Sequence, residues 1–285
     1  MKKKRILIFS LVLLAFALSA CGAAEPEDCL GTAEDAIYDL ECREITIVVE
    51  NNYLPFNYVD LEDGVAKGWD YDAITEICTR LHCTPVYVEA QWEGMIQGIA
   101  DGQWDVAADG ITITDERDKI VDFSMGYVST EQRLLVRIDE DRINSIQDIV
   151  DNPDLILGTQ SGTTNYEVAS QYLAEDLIKT YDQFPFVVQA LIAGDIDAVM
   201  IDETAGLGYR GEHADELKLV GDSLSSDVLG FAFPEGSDLV EYFNMALEAM
   251  IADGFMNELN LQYFGPDFVV TYDDVGPGAY GDDEE

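Results

Sequence analysis

Arg117 closes the stretch DGITITDER, residues 109–117, where apolar residues and threonines alternate as they do toward the end of a β-strand. The chain holds 15 lysines and arginines against 57 aspartates and glutamates, so a cation at this position is uncommon. A guanidinium holds a carboxylate through two parallel hydrogen bonds, which lysine cannot do. Arg117 is therefore a candidate anion-binding residue. A surface salt bridge with Asp115 or Asp118 is the alternative.

A candidate of opposite charge, Asp202, follows the apolar run AVMI, residues 198–201. A carboxylate there can bind an ammonium group as a charge-assisted pair, or it can cap the helix that follows the strand. A third candidate lies in the turn SGTTN, residues 161–165, which precedes a helical pattern. A helix start exposes unpaired amides and favours negative charge, so Thr164 is a candidate anion donor. Simple N-capping by Thr163 or Thr164 is the alternative, and both uses can coexist.

The elements that position these residues alternate between short β-rich runs and amphipathic helical patterns. In residues 70–81, apolar side chains recur at offsets of three, four and seven, which predicts one buried helix face. Further helices are predicted near 94–102, 165–177, 185–193 and 237–252, and strands at 45–49, 85–90, 105–109, 155–158 and 197–201. The alternation favours α/β layers with a mainly parallel sheet, whose ligand sites lie after the carboxyl ends of the strands.

Charge and motif content exclude several classes of function. The formal net charge of −42 repels nucleic acid, which is therefore not an expected partner. The sequence shows no Ser-His-Asp set, phosphate-binding loop or metal cluster, so no cofactor and no enzymatic activity are predicted.

The N-terminus predicts export. Residues 1–20 combine a basic start, a short apolar run and small residues, which is typical of a signal peptide. Leu18 to Cys21 resemble a bacterial lipobox, which implies a lipid on Cys21 and attachment to the membrane; an ordinary signal peptide with a chance cysteine is the alternative. Residues 21–43 are predicted to be the lipidated cysteine and a tether, and 267–285 an acidic disordered tail.

The four remaining cysteines allow three pairings. The prediction is Cys29–Cys42, which bracket the segment before the first strand, and Cys78–Cys83, which flank a helix end. No CxxC pair exists, and the two histidines, His82 and His213, are far apart in sequence, so no structural zinc site is predicted.

Several runs, in this order, resemble the periplasmic amino-acid-binding proteins of ABC importers, solute-binding protein family 3. They are NNYLPFNYV, GWDYDAITEIC, DGQWDVAADGITITDERDKIVDFSMGY, LGTQSGTTNYEVA, DIDAVMIDE and the closing YFG. The resemblance implies an extracytoplasmic protein of the two-lobed α/β periplasmic-binding-protein fold (type II), with its ligand in the cleft between the lobes. Lobe one would comprise 44–131 and 230–266, and lobe two 132–229. A membrane-embedded ABC permease is the implied partner, and a monomer the implied state.

The resemblance also implies roles for individual residues. Arg117 would grip the α-carboxylate of a free amino acid, assisted by Thr112 and Thr164. Asp202 would bind the α-ammonium from the other lobe, and Gly110 would let the backbone approach closely because it has no Cβ.

Tyr53 and Trp92 correspond to the aromatic walls around the ligand side chain, and the pocket candidates are Glu50, Asp109 and Gln160. Arg117 and Asp202 would satisfy the backbone groups of the ligand, so Glu50 and Asp109 are surplus acids. An uncompensated buried charge is costly, so a cationic amino acid such as arginine, lysine or ornithine is predicted. Glutamine is the competing ligand, and Asp109 facing away from the cleft would weaken the argument. A cyclohexadienyl-dehydratase-like enzyme, using Glu50 or Asp109 as general acid, is the alternative of another class.

Overall fold

The computed structural model describes residues 28–265. The predicted signal peptide, the lipidation site Cys21 and the predicted tail 267–285 lie outside the described residues. Within 28–265, no helix combines the length and apolar character needed to cross a membrane.

Strands and helices alternate along most of the described chain. The strands are β1 (Arg43–Val49), β2 (Asn52–Tyr53), β3 (Asn57–Val59), β4 (Ala66–Lys67), β5 (Cys83–Glu89), β6 (Val106–Ala107), β7 (Val121–Phe123), β8 (Val128–Arg137), β9 (Leu157–Gln160), β10 (Ile178–Tyr181), β11 (Ala198–Asp202), β12 (Leu217–Val220), β13 (Ser226–Leu229) and β14 (Ala232–Pro234). The helices are α1 (Trp69–Leu81), α2 (Met95–Ala100), α3 (Ile146–Val150), α4 (Thr164–Tyr172), α5 (Phe184–Ala193), α6 (Glu203–Glu212), α7 (Leu239–Asp253) and α8 (Phe255–Phe264).

Lobe one is built on a five-stranded sheet in the order β5-β1-β6-β14-β7. Strand β1 pairs in parallel with β5 and β6, while β14 runs antiparallel to β6 and β7. Ile45 and Ile47 are fully buried in one core with the apolar face of α1, and Val48 points into a second core with Met95 of α2. Burial on both faces explains why β1 reads as the continuous apolar run ITIVV.

Lobe two is built on a second sheet in the order β10-β9-β11-β8-β12, with β13 paired to the start of β8. Strands β9, β10 and β11 are parallel, and β8 is antiparallel to β11 and β12. The antiparallel pair of β8 and β13 lies where the chain passes from one sheet to the other and back. The predicted lobe boundary at 131/132 falls inside β8.

Most predicted elements match the structure, and the differences have local causes. Helix α1 occupies nearly the span predicted from its periodicity. The helix predicted near 165–177 ends at Tyr172, because Leu173 takes an extended conformation and the chain re-forms only a 3₁₀ turn at Glu175–Leu177. Gly254, at φ 91°, ends α7 as expected, but it also begins α8, which the apolar pattern did not predict.

The segment 28–42, which falls in the predicted tether, lies against lobe one. The Leu30 amide donates to the Cys83 carbonyl at 3.0 Å, and the Leu40 amide donates to the Leu81 carbonyl at 2.9 Å. The structure contains both disulfides in the predicted pairing, Cys29–Cys42 and Cys78–Cys83. Residues 28–42 are therefore fastened to the body of the protein rather than extended away from it.

Candidate functional site

A cavity lies between the two lobes. All ten residues that the sequence singled out for ligand binding line it: Glu50, Tyr53, Trp92, Asp109, Gly110, Thr112, Arg117, Gln160, Thr164 and Asp202. The strands that carry or precede them end at this cleft, as expected for α/β sheets. These residues, which are spread over more than half of the chain, therefore lie around one cavity.

Arg117 is partly buried at the lobe-one side of the cavity. Its Nη1 donates to the Thr112 carbonyl at 2.7 Å, and its guanidinium lies 5.1 Å from the centre of the Trp92 ring. Burial lowers the pKa of Arg117, while more distant carboxylates on lobe two oppose that shift. Within residues 28–265 it forms no salt bridge, with Asp115, Asp118 or any other carboxylate. The guanidinium keeps donors for an anion in the cavity.

Asp202 ends β11 on the lobe-two side and is buried. Although it occupies the N-cap position of α6, its side chain makes no capping hydrogen bond. It instead accepts hydrogen bonds from the Tyr53 hydroxyl and, at 3.0 Å, from Asn165 Nδ2. Burial, followed by repulsion from Asp227, raises the pKa of Asp202 to about 6. The carboxylate is thus held for an interaction inside the cavity rather than for the helix.

Glu50 and Asp109 form a buried acidic pair on lobe one. Asp109 Oδ1 accepts a hydrogen bond from the Glu50 amide at 3.1 Å, and both side chains face the cavity. Burial, reinforced by the Asp109 charge, raises the pKa of Glu50 to about 8, and burial raises the pKa of Asp109 to about 6. Asp109 therefore does not face away from the cleft, and the pair holds a proton readily near neutral pH.

Four contacts connect the lobes across the cavity. Gln160 Nε2 donates to Glu50 Oε1 at 3.1 Å and also to the Asp182 carbonyl at 2.9 Å. Trp92 Nε1 donates to the Gly162 carbonyl at 3.0 Å. The Thr112 and Thr164 hydroxyls lie 3.3 Å apart, and Tyr53 reaches Asp202 as described above. These bonds join lobe one to lobe two around the rim and floor of the site.

Aromatic rings form one wall of the cavity. Tyr53 stacks between Phe56 and Phe184, with ring centres 5.3 and 5.5 Å away. Gly110 lies under the Tyr53 ring at φ 55°, and a Cβ there would come within 2.7 Å of that ring. Glycine is therefore required by both the backbone conformation and the close approach.

Three residues that were not predicted to bind the ligand also line the cavity: Thr163, Asn165 and Phe184. Thr163 caps α4, since its hydroxyl oxygen accepts from the Tyr166 amide at 3.3 Å. Asn165 could have been found as the neighbour of Thr164 on the first turn of that helix. Phe184 carries no such signal, because it starts α5 in a segment that reads only as apolar core.

Comparison with known proteins agrees with this architecture. The family model of bacterial extracellular solute-binding proteins, family 3, matches residues 45–266. L-cystine-binding protein TcyA of Bacillus subtilis is 28% identical over 273 residues, covering 94% of this chain and 99% of TcyA. Glutamate-binding protein GluB of Corynebacterium glutamicum is 33% identical over 225 residues, covering 76% of this chain and 70% of GluB.

Among solved structures, an ancestral arginine-binding protein bound to arginine gives a TM-score of 0.72 at 31% identity, covering 78% of this chain and 98% of that protein. The two-lobed α/β fold is thereby confirmed. These relatives are named as binding proteins, so the dehydratase alternative is not supported. The chain belongs to the bacterial extracellular solute-binding proteins, family 3.

Proposed function

We propose that this protein is an extracytoplasmic receptor that binds one free amino acid, carrying a cationic side chain, and delivers it to an ABC importer. Arg117, with the Thr112 and Thr164 hydroxyls, takes the α-carboxylate, and Asp202 takes the α-ammonium. Support comes from the position of these groups on opposite walls of one cavity. Because both lobes contribute, only the closed arrangement satisfies both ends of the zwitterion, which gives the ligand the differential affinity that drives closure.

The observation that carries the choice of side chain is the Glu50–Asp109 pair. Two buried carboxyl groups share one end of the cavity, and among residues 28–265 no lysine, arginine or histidine other than Arg117 lines it. Two neighbouring acids in a low-dielectric site resist being ionised together. An ammonium or guanidinium from the ligand side chain compensates that charge, and Gln160 and Tyr53 complete the surrounding polar and aromatic wall.

Glutamine is a second candidate, favoured by the raised pKa of Glu50. A carboxylic acid that keeps its proton at neutral pH can hydrogen-bond to an amide without needing a cation. In that case the proton, rather than the ligand, removes the like-charge repulsion between Glu50 and Asp109.

The relatives do not decide between ligands, because their names specify cystine, glutamate and arginine in turn. An anionic side chain is disfavoured here, since it would meet Glu50 and Asp109 at close range. The electrostatics of this chain's own cavity is therefore the better guide to its ligand than the identity of any one relative.

The mode of attachment and the partner are inferred from the N-terminal sequence and from the family. We expect a lipid on Cys21 to hold the receptor at the membrane, beside a permease that accepts the ligand from the closed lobes. Two or more acyl chains give stable anchoring. We expect a monomer, as the resemblance to the family implies.

A panel of ligands in a thermal-shift assay tests the proposal, since a ligand that binds the native state raises the unfolding temperature. Arginine and citrulline form the matched pair, because they share a shape and differ in side-chain charge. We expect arginine, lysine or ornithine to raise the unfolding temperature and citrulline to raise it far less. A larger response to glutamine would favour the second candidate. A response to glutamate or cystine alone would contradict the cationic assignment.

A further inference from the structure

A second cluster of chemically active side chains lies on lobe one, apart from the cavity-lining residues. Cys29, Cys42 and His82 place their sulfur and ring nitrogen atoms within 4.8 Å of one another. The sequence predicted no zinc site, because it has no CxxC pair and its two histidines are far apart; Cys29, Cys42 and His82 are themselves separated by 13 and 40 positions. The fold overrides that separation by fastening segment 28–42 to the end of α1, where His82 follows Leu81.

The orientation of His82 is fixed by the groups around it. Its Nδ1 lies 2.7 Å from Asp39 Oδ1, and its Nε2 lies 3.2 Å from Cys42 Sγ. The ring is buried, and the backbone of His82 forms the left-handed C-cap of α1 at φ 51°. A carboxylate on one ring nitrogen, with the other aimed at the remaining donors, is the arrangement that supports histidine as a metal ligand.

The geometry points to a redox-gated site for a thiophilic divalent cation such as Zn²⁺, formed by Cys29, Cys42 and His82 once the Cys29–Cys42 disulfide is reduced. Two thiolates and an imidazole are ligands that Zn²⁺ prefers, and three protein ligands leave a fourth position for water. Asp39 positions the ring and is not itself a ligand. In the oxidised protein the sulfurs are bonded to each other, so the site exists only in the reduced state.

The reductant is a small thiol. Two thiol molecules reduce the disulfide to two cysteine thiols and are themselves oxidised to one external disulfide. Zn²⁺ then binds both cysteine sulfurs as thiolates, together with His82 Nε2, and the two cysteines release their protons. The Cys78–Cys83 disulfide is fully buried, whereas Cys29 is partly exposed, so mild reduction acts on Cys29–Cys42 first.

The test uses the whole protein, before and after mild thiol reduction, titrated with Co²⁺ and then Zn²⁺. We expect the reduced protein to bind one Co²⁺ with intense thiolate-to-cobalt charge-transfer absorption, which Zn²⁺ then abolishes. The oxidised protein should show neither signal. Retained amino-acid binding and circular dichroism establish that the reduced protein is folded, so failure of this site is distinguishable from failure of the proposed receptor function.

Three variants test which side chains bind or position the metal ion. His82→Asn suits the left-handed backbone, because asparagine adopts that conformation more readily than most residues, and it removes the imidazole. Asp39→Asn should weaken metal affinity by about 10–100-fold. His213→Asn alters an exposed histidine bonded to Glu216 and should change nothing. The proposal is overturned if the folded, reduced protein gives no thiolate–cobalt absorption, or if His82→Asn binds as tightly as the unaltered protein.

Discussion

The two walls of the cavity differ in the arrangement of their charged groups. Of the described residues on lobe two, Asp202 is the single acid that lines the cavity, and Tyr53 and Asn165 already donate hydrogen bonds to it. On lobe one, Glu50 and Asp109 lie together with raised pKa values, and Arg117 has no carboxylate partner within residues 28–265. The carboxylate on lobe two already accepts two hydrogen bonds, whereas the cavity-lining charged groups of lobe one have no partner of opposite charge within the described residues.

This difference suggests a division of roles. A carboxylate held by two donors binds any α-ammonium and does not distinguish one amino acid from another. The Glu50–Asp109 pair lies where the ligand side chain would lie, so it discriminates. We infer that lobe one selects the ligand, that Arg117 and Asp202 supply affinity common to all amino acids, and that the bonds between the lobes set the stability of the closed form.

The largest effect is expected from Arg117→Ala. Loss of a buried partner for a charged ligand group costs about 2–5 kcal/mol. Affinity for cationic and neutral amino acids should fall together, because the α-carboxylate is common to both, and isothermal titration calorimetry measures this. Arg117→Lys should recover part of the loss, since it keeps the charge but lacks the planar fork.

Arg43→Ala is the matched control for this experiment, because Arg43 pairs with Asp238 on the exposed surface. Its effect on binding should be negligible. Unchanged affinity in Arg117→Ala would remove Arg117 from the site and from the affinity that is common to all amino acids.

Glu50→Gln and Asp109→Asn are expected to have the next largest effect, and a selective one. Each removes a charge that faces a cationic side chain, so arginine affinity should fall by about 1–3 kcal/mol, the usual cost of a lost hydrogen bond to a charged group. Glutamine and citrulline affinity should change much less. Glu89→Gln, an exposed acid on the same lobe, is the control. Equal losses for arginine and glutamine would break the assignment of selectivity to lobe one.

The same pair makes cation binding depend on pH. Below about 6 both acids keep their protons, and Glu50 loses its proton only as the pH rises through about 8. A bound cation favours the ionised forms, so arginine affinity should rise between pH 6 and 8, by at most about tenfold per pH unit for one proton released. Asp202, with a pKa of about 6, affects every amino acid alike. Glutamine is therefore the internal reference. Parallel pH profiles for arginine and glutamine would refute the link between ionisation of the Glu50–Asp109 pair and binding of a cation.

Stability of the free protein should change with pH in the opposite sense. An acid whose folded-state pKa is raised stabilises the fold fully below its unfolded pKa of about 4, and that contribution is lost as pH rises through the folded value. For Glu50 the loss extends to about pH 8. Chemical denaturation at pH 5 and pH 8 should show a smaller difference in unfolding free energy for Glu50→Gln than for the unaltered protein. If the difference in unfolding free energy between pH 5 and pH 8 is the same in Glu50→Gln, Glu50 is not the source of the pH dependence.

Much of the site could be predicted because its residues follow strand ends. Asp202 comes directly after an apolar run, Arg117 lies in the loop that follows the alternating stretch ITIT, and loops at the carboxyl ends of strands converge in α/β sheets. Phe184 could not be predicted, because its contact with Tyr53 depends on how lobe two lies against lobe one. The contact of His82 with Cys42 depends likewise on the docking of segment 28–42. The second role of Gly254, as the start of α8, was not predicted, because a glycine after an apolar helical pattern indicates only the end of that helix.

The smallest expected effect concerns the bonds between the lobes, and Trp92→Phe isolates one of them. Phenylalanine keeps an aromatic face for Arg117 but cannot donate to the Gly162 carbonyl, which Trp92 Nε1 reaches at 3.0 Å. One hydrogen bond is worth about 0.5–1.5 kcal/mol, so affinity for every amino acid should fall by this amount. The dissociation rate should rise in stopped-flow fluorescence because the closed form is less stable. Trp104→Phe makes the same chemical change inside lobe one, outside the cavity lining, and should leave dissociation unaltered. A loss confined to cationic ligands would place Trp92 in side-chain selection instead of closure, and the division of roles between the two walls would need to be redrawn.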